Sequence, residues 1–155
     1  MDRRWIVRVL GAAAVTLPFA NRQAAAAYEK SPEKNHKLAI HVDVNDPEVM
    51  KLCLNNARNA HDLYTEWGEQ VAIEIVAYSQ GFHMLREDTS PVKEEIKALR
   101  AKVPTVAFGA CNNTKKAMER REGKTLVLIP EATLVPAGVV RLVELQELGY
   151  KYLKP

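Results

Sequence analysis

The chain has 155 residues, 22 of them basic and 19 acidic, for a formal net charge of +3. The positive balance lies in the first 27 residues: without their four arginines and one aspartate, 18 basic residues face 18 acidic ones. A neutral remainder of 128 residues suits one domain and gives no electrostatic case for nucleic acid or an anionic membrane as partner.

Residues 1–27 read as an export signal. Arg3, Arg4 and Arg8 form a positive start, residues 9–20 are mildly apolar, and Ala25-Ala26-Ala27 offers a small-residue cleavage site. A membrane anchor would need about 20 strongly apolar residues, and this alanine-rich run is shorter. Arg3-Arg4-Trp5 followed by Ile6 and Val7 also resembles the twin-arginine pattern, so export by that route or by general secretion is open. Either way the expected location is the periplasm. Residues 28–37, polar and containing Pro32, read as a flexible arm, and residues 38–155 as one α/β domain.

The run 38–44 reads as a first strand. Asp46-Pro47 then starts a helix, with Asp at the N-cap and Pro at the first helical position. Val49, Met50, Cys53, Leu54, Ala57, Ala60 and Tyr64 recur at helical spacing to about residue 65, before Gly68. Residues 71–78, rich in Val and Ile, form a second strand. A glycine-containing loop, 79–83, leads to an apolar turn at Met84 and Leu85. Ser90-Pro91 opens a helix carrying Val92, Ile96 and Leu99 on one face.

The run 103–110 reads as a short buried strand ending on Cys111, with a basic helix to about 121 and Gly123 after it. An apolar run, 125–130, and an extended segment, 133–136, follow. The last helix covers about 137–148, and 150–153 suits a short edge strand. Strands alternating with helices at this spacing predict a three-layer α/β/α sandwich whose mainly parallel sheet has about five strands.

Cys111 is the leading candidate for chemistry. A residue between the carboxyl end of a strand and the amino end of a helix lies where open α/β sheets place their ligands. It also faces the positive end of a helix dipole, which favours thiolate, with Lys115 and Lys116 a turn away. Cys53, among Met50, Leu54 and Ala57, reads as core packing. His83 and Asp43 fall at strand ends on the same edge of the sheet. His83 is either a proton partner or a surface histidine, and Asp43 faces the crevice or caps the helix after it. Arg86 is either an anion holder or half of an exposed ion pair with Glu87 or Asp88. Asn113 and Thr114, directly after the cysteine, are candidate substrate contacts. His41 reads as a hydrogen-bonded core residue, and Gly81 as serving backbone geometry.

No phosphate-binding glycine loop, dinucleotide fingerprint, Cys-x-x-Cys pair, Gly-x-Ser-x-Gly elbow or helical histidine pair is present. No metal site or cofactor is therefore expected.

Several segments together carry a resemblance: Asn45-Asp46-Pro47, Asn55-Asn56-Ala57-Arg58-Asn59, Gly81-x-His83-x-Leu85, Ala110-Cys111-Asn112-Asn113-Thr114, and the tail from Val135 to Tyr150. From Leu38 to Pro155 the chain resembles the DsrE/DsrF-like proteins, particularly their small stand-alone branch. The resemblance implies a five-stranded, mainly parallel sheet, trimeric or hexameric assembly, and sulfur relay. In that relay a cysteine, here Cys111, takes sulfur as a persulfide and passes it on. The export leader and the Asn-Asn-Thr after the cysteine set this chain apart from cytoplasmic relay members.

The expected function is thus sulfur handling on Cys111, with a protein or small-thiol donor and acceptor. The alternatives are an oligomeric protein that binds a small ligand without catalysis, and a thiol redox partner using Cys53 with Cys111.

Overall fold

The computed structural model describes residues 30–155. The leader read in residues 1–27 lies outside them. In chain order the elements are β1 (Asn35–Val42), α1 (Pro47–Glu66), β2 (Gln70–Ala77), a 3-10 helix (Ser79–Leu85), α2 (Lys93–Lys102), β3 (Ala107–Cys111), α3 (Asn112–Glu122), β4 (Ala132–Val135), α4 (Gly138–Glu147) and β5 (Lys151–Leu153). The five strands form one parallel sheet in the order β4-β3-β2-β1-β5. The fold is α/β, as expected from the alternation of strands and helices.

Successive strand residues point to opposite faces, and the sheet buries both. Ile40, Val42, Ile73, Ile75, Ala77, Phe108 and Ala110 face one side. There they form the main core with Met50, Cys53, Leu54 and Ala57 of α1, Ile96 and Leu99 of α2, Met118 of α3, and Phe82 of the 3-10 helix. Ala39 and Val76 face the other side and pack on Leu142 and Leu145 of α4, flanked by Tyr78 and Tyr150. One helix thus covers the second face, and its outward residues Val139, Val140 and Val143 are exposed. Among the described residues no helix is long and apolar enough to cross a membrane.

Local chemistry accounts for the boundaries. Asp46 caps α1 by accepting the Glu48 amide at 2.8 Å, with Pro47 in the first turn where its missing N–H costs nothing. Gly123 closes α3 in the left-handed conformation, φ 66°.

Two boundaries differ from the sequence reading. Residues 35–37, assigned to the flexible arm, already belong to β1, because Asn35 to Lys37 pair with Gln70 to Ala72. The His36 ring there is held by Glu69 at 3.0 Å and stacks on Tyr64. Residues 103–106 are not part of the third strand: the Val106 amide turns back to the Val103 carbonyl, and pairing with β2 begins at Ala107. The apolar run 125–130 lies outside the sheet. Leu126 and Ile129 bury their side chains, while Val127 and Ile129 bond to Glu87 and Leu85, so the fourth strand position falls to 132–135.

Gly81 joins the 3-10 helix to the end of β1. A Cβ at this position would stand 2.2 Å from the Val42 carbonyl oxygen and 2.5 Å from its carbon, both backbone atoms that cannot swing aside. Gly81→Ala is therefore expected to lower stability by about 2 kcal/mol or more, read as a reduced urea midpoint. A variant as stable as the parent would show that this loop is free to move off the strand.

Candidate functional site

Because every strand of the sheet is parallel, all five end at one edge. Val42, Ala77, Cys111, Val135 and Leu153 are the last strand residues, and Asp43, Tyr78, Asn112, Pro136 and Lys154 follow them. Ala110 points into the main core, so Cys111, one residue on, points to the α4 face. Cys111 pairs with Val135 of β4, and on its other side Ala110 pairs with Ala77, which places Tyr78 beside it.

Cys111 is also the N-cap of α3. Its sulfur accepts the Thr114 amide at 3.4 Å. The Thr114 hydroxyl and the backbone amides of Gly138 and Asn113 lie near the same atom and favour its charged form. Gly138 is the first residue of α4, so the amino ends of two helices meet at one sulfur. Burial pushes this thiol upward, but the Thr114 hydroxyl and the three amides outweigh it, and the net shift is below the ordinary thiol value. The Thr114 hydroxyl oxygen in turn accepts the Ser79 amide at 3.1 Å, which leaves its own proton to point at the sulfur. Ser79 holds that amide in place with φ 52°, a left-handed conformation rare for a side chain other than glycine.

Thr114 is thus placed as a sequence-predicted site residue, and Asn113 contributes through its backbone. Lys115 does not serve the thiolate: its ammonium is paired with Glu119. Asp43 lies on the same edge, where Lys154 at 2.7 Å holds its carboxyl below the usual range; it does not touch Cys111.

Two other candidates fall elsewhere. His83 hydrogen-bonds through Nδ1 to Thr89 at 2.8 Å, and burial followed by the nearby Arg86 charge lowers its pKa. No contact joins it to Cys111 among the described residues. Arg86 is neither an anion holder nor exposed. Its guanidinium, 1% exposed, is saturated by two bonds to Asp88 and two to Glu122 at 2.7–2.9 Å, tying the loop after the 3-10 helix to the end of α3. The sequence reading missed that Glu122, 36 residues away, completes the pair.

Cys53 is fully buried on α1, on the opposite side of the sheet from Cys111. Both thiols are free, and burial raises that of Cys53 far above its ordinary range. The redox-pair alternative is not supported by this placement. Among the described residues no group of three or more His, Cys, Asp or Glu side chains is placed to hold a metal ion. A cleft of about 420 Å³ lies at the opposite, amino-terminal edge of the sheet, between His36, His61, Glu69 and Thr105.

Neighbours of this edge that the sequence did not single out are Tyr78, Ser79, Gly138 and Tyr152. His41, 4% exposed, hydrogen-bonds to the Tyr152 hydroxyl at 2.8 Å and stacks on Tyr78 with ring centroids 4.5 Å apart. It is the hydrogen-bonded core histidine expected, but it lies against the site. A usable signal for Gly138 was a glycine in the first turn of a helix that begins at a strand's carboxyl end.

Removing the Thr114 hydroxyl withdraws a donor from the deprotonated sulfur, so the protonated form gains and the thiol midpoint moves up. Alkylation of Cys111 by iodoacetamide, followed against pH, is expected to show a higher midpoint in Thr114→Val and a roughly threefold to tenfold lower rate at neutral pH. Thr114→Ser should follow the parent. An unchanged midpoint in Thr114→Val would remove the hydroxyl from the account.

No family model matches the chain, and no curated protein matches it. Among solved structures it is similar to a protein of unknown function, MTH1491 from Methanobacterium thermoautotrophicum. The two are 31% identical with a TM-score of 0.66, and the match covers 77% of this chain and 99% of that one.

Proposed function

The chain belongs to the family of the methanobacterial protein MTH1491, and within that fold we propose that it handles sulfur: Cys111 accepts sulfane sulfur as a persulfide and passes it to a thiol acceptor. The observation that carries this reading is the seat of Cys111 at the N-cap of α3, where its sulfur accepts the Thr114 amide at 3.4 Å and its surroundings lower the thiol's pKa. A thiol whose pKa is lowered by neutral dipoles has a larger thiolate fraction at neutral pH and is the better nucleophile for it, and the same donors suit the terminal anion of a persulfide.

The thiolate attacks the outer sulfur of a donor. A new S–S bond forms at Cys111, the donor's own S–S bond breaks, and the leaving sulfur departs with the electron pair. An acceptor thiolate then attacks the outer sulfur on Cys111, and the electron pair of the breaking bond returns to the cysteine. The sulfur moves without net oxidation, and this chemistry calls for no metal or redox cofactor.

The reading agrees with the DsrE/DsrF-like resemblance of the cysteine segment and the tail. With it we place the protein in homo-oligomers, trimer or hexamer, for which the exposed Val139, Val140 and Val143 on α4 offer an apolar face. The arginine-led apolar leader supports a periplasmic setting.

Incubation with inorganic polysulfide, followed by peptide mass spectrometry, is expected to show one or more sulfur atoms added at Cys111 and none at Cys53. Cys111→Ser should gain none. Equal sulfur uptake by the serine variant ends this reading.

A further inference from the structure

Cys111 retains only 5% of its accessible surface, although its surroundings favour the thiolate. A sulfur so enclosed can be reached by a small solute. A persulfide carried on a folded protein brings its own backbone within a few ångströms of the reacting atom, and the attacking thiolate must line up with the S–S bond that breaks.

Tyr78 follows β2 at the position beside Cys111. On one side its ring stacks on His41, with centroids 4.5 Å apart and planes 21° apart. On the other it lies against Gly138, where a Cβ would stand 2.7 Å from Tyr78 Cδ1 and 2.9 Å from its Cβ. The ring therefore sits where it does because residue 138 has no side chain. The Gly138 amide also favours the charged form of the Cys111 sulfur, so Gly138 lies against the ring and near the sulfur. Beyond the ring, Nε2 of His41 and Oδ1 of Asp43 are buried with no hydrogen-bond partner among the described residues.

We infer that Tyr78, seated between His41 and Gly138, is a specificity-determining residue that restricts Cys111 to small inorganic hydropolysulfide donors and turns away persulfides borne on proteins. The inference rests on the sulfur-acceptor reading. With the simplest donor, hydrodisulfide, the Cys111 thiolate bonds to one sulfur while the donor's S–S bond breaks. The other sulfur leaves with the electron pair and the proton as hydrosulfide, and Cys111 holds a persulfide anion. Atoms and charge balance with no further reactant.

The test uses the full chain, with labelling at Cys111 mapped by peptide mass spectrometry. Two methanethiosulfonate reagents sharing one reactive group, the methyl compound and one bearing a polyethylene glycol chain, are each normalised to their rate with free cysteine. The parent is expected to discriminate against the bulky reagent by about tenfold or more, and Tyr78→Ala to lose most of that ratio. Tyr78→Phe, which keeps the ring, should retain it. Gly138→Ala, which displaces the ring, should lower it. In parallel, the parent should take sulfur readily from inorganic polysulfide and poorly from persulfidated rhodanese, and Tyr78→Ala should narrow the gap.

Sulfur uptake from polysulfide with no size discrimination in the parent overturns this inference and leaves the sulfur-acceptor reading standing. A ratio unchanged by Tyr78→Ala does the same. Size discrimination with no uptake from polysulfide overturns both, leaving Tyr78 a steric wall only. Should Tyr78→Ala not fold, the parent's own ratio and that of Gly138→Ala decide the matter.

Discussion

Parallel pairing is the constraint on which the rest of this molecule depends. A parallel strand cannot return through a tight turn, so each strand must be followed by a crossover that starts from the same edge. Here that rule brings the ends of β1, β2, β3, β4 and β5 to one line, along with the residues that follow them. Asp43, Tyr78, Cys111 and Lys154 are far apart in sequence and become neighbours for this reason alone. The same rule sets two helix amino ends, those of α3 and α4, on the edge where Cys111 emerges.

What the edge does electrically follows from which charges are already spent. Lys115 is taken by Glu119, Arg86 by Asp88 and Glu122, and Lys154 by Asp43. Around the sulfur the stabilising groups are neutral: one hydroxyl and three amides. Fixed dipoles at short range in a partly buried site are screened far less by salt than a lysine waving in solvent would be. They also remain in place when the charge moves one atom outward, from the cysteine sulfur to the outer sulfur of a persulfide. A lone cation would favour one of the two positions.

The sequence made some of this legible and could not show the rest, and the division has a physical cause. Alternating β and helical periodicity is a local property, so the elements and the α/β class could be read directly. Cys111 at a strand-to-helix junction and Cys53 in an apolar helical stripe were equally local. The strand limits failed where long-range pairing overrides composition. Polar Asn35 to Lys37 join β1 because β2 offers them partners, and the apolar run 125–130 buries Leu126 and Ile129 and bonds by its backbone to Glu87 and Leu85 outside the sheet. The basic residues misled for a similar reason. Nothing near Arg86 in sequence announces Glu122, and a lysine four residues after a cysteine gives no sign that Glu119 holds it. Gly138 and Tyr78, 27 and 33 residues from Cys111, come to the site only through the register of β2, β3 and β4.

The second face of the sheet is where packing and chemistry become inseparable. Three helices and the 3-10 helix bury the first face. Among the described residues the second face has α4 alone. Leu142 and Leu145 anchor that helix on Ala39 and Val76, Arg141 pins it by two bonds of 2.7 Å to the buried Glu74 of β2, and its first amide rests on the sulfur. Any force that slides α4 along the sheet must break the Arg141–Glu74 pair and withdraw the Gly138 donor together. An unpaired Glu74 in the middle of a strand would carry the penalty of a buried, uncompensated charge, which makes intermediate positions of the helix unfavourable. The reactivity of Cys111 is therefore tied to the seating of one helix, and that seating is held by an ion pair on the strand beside it.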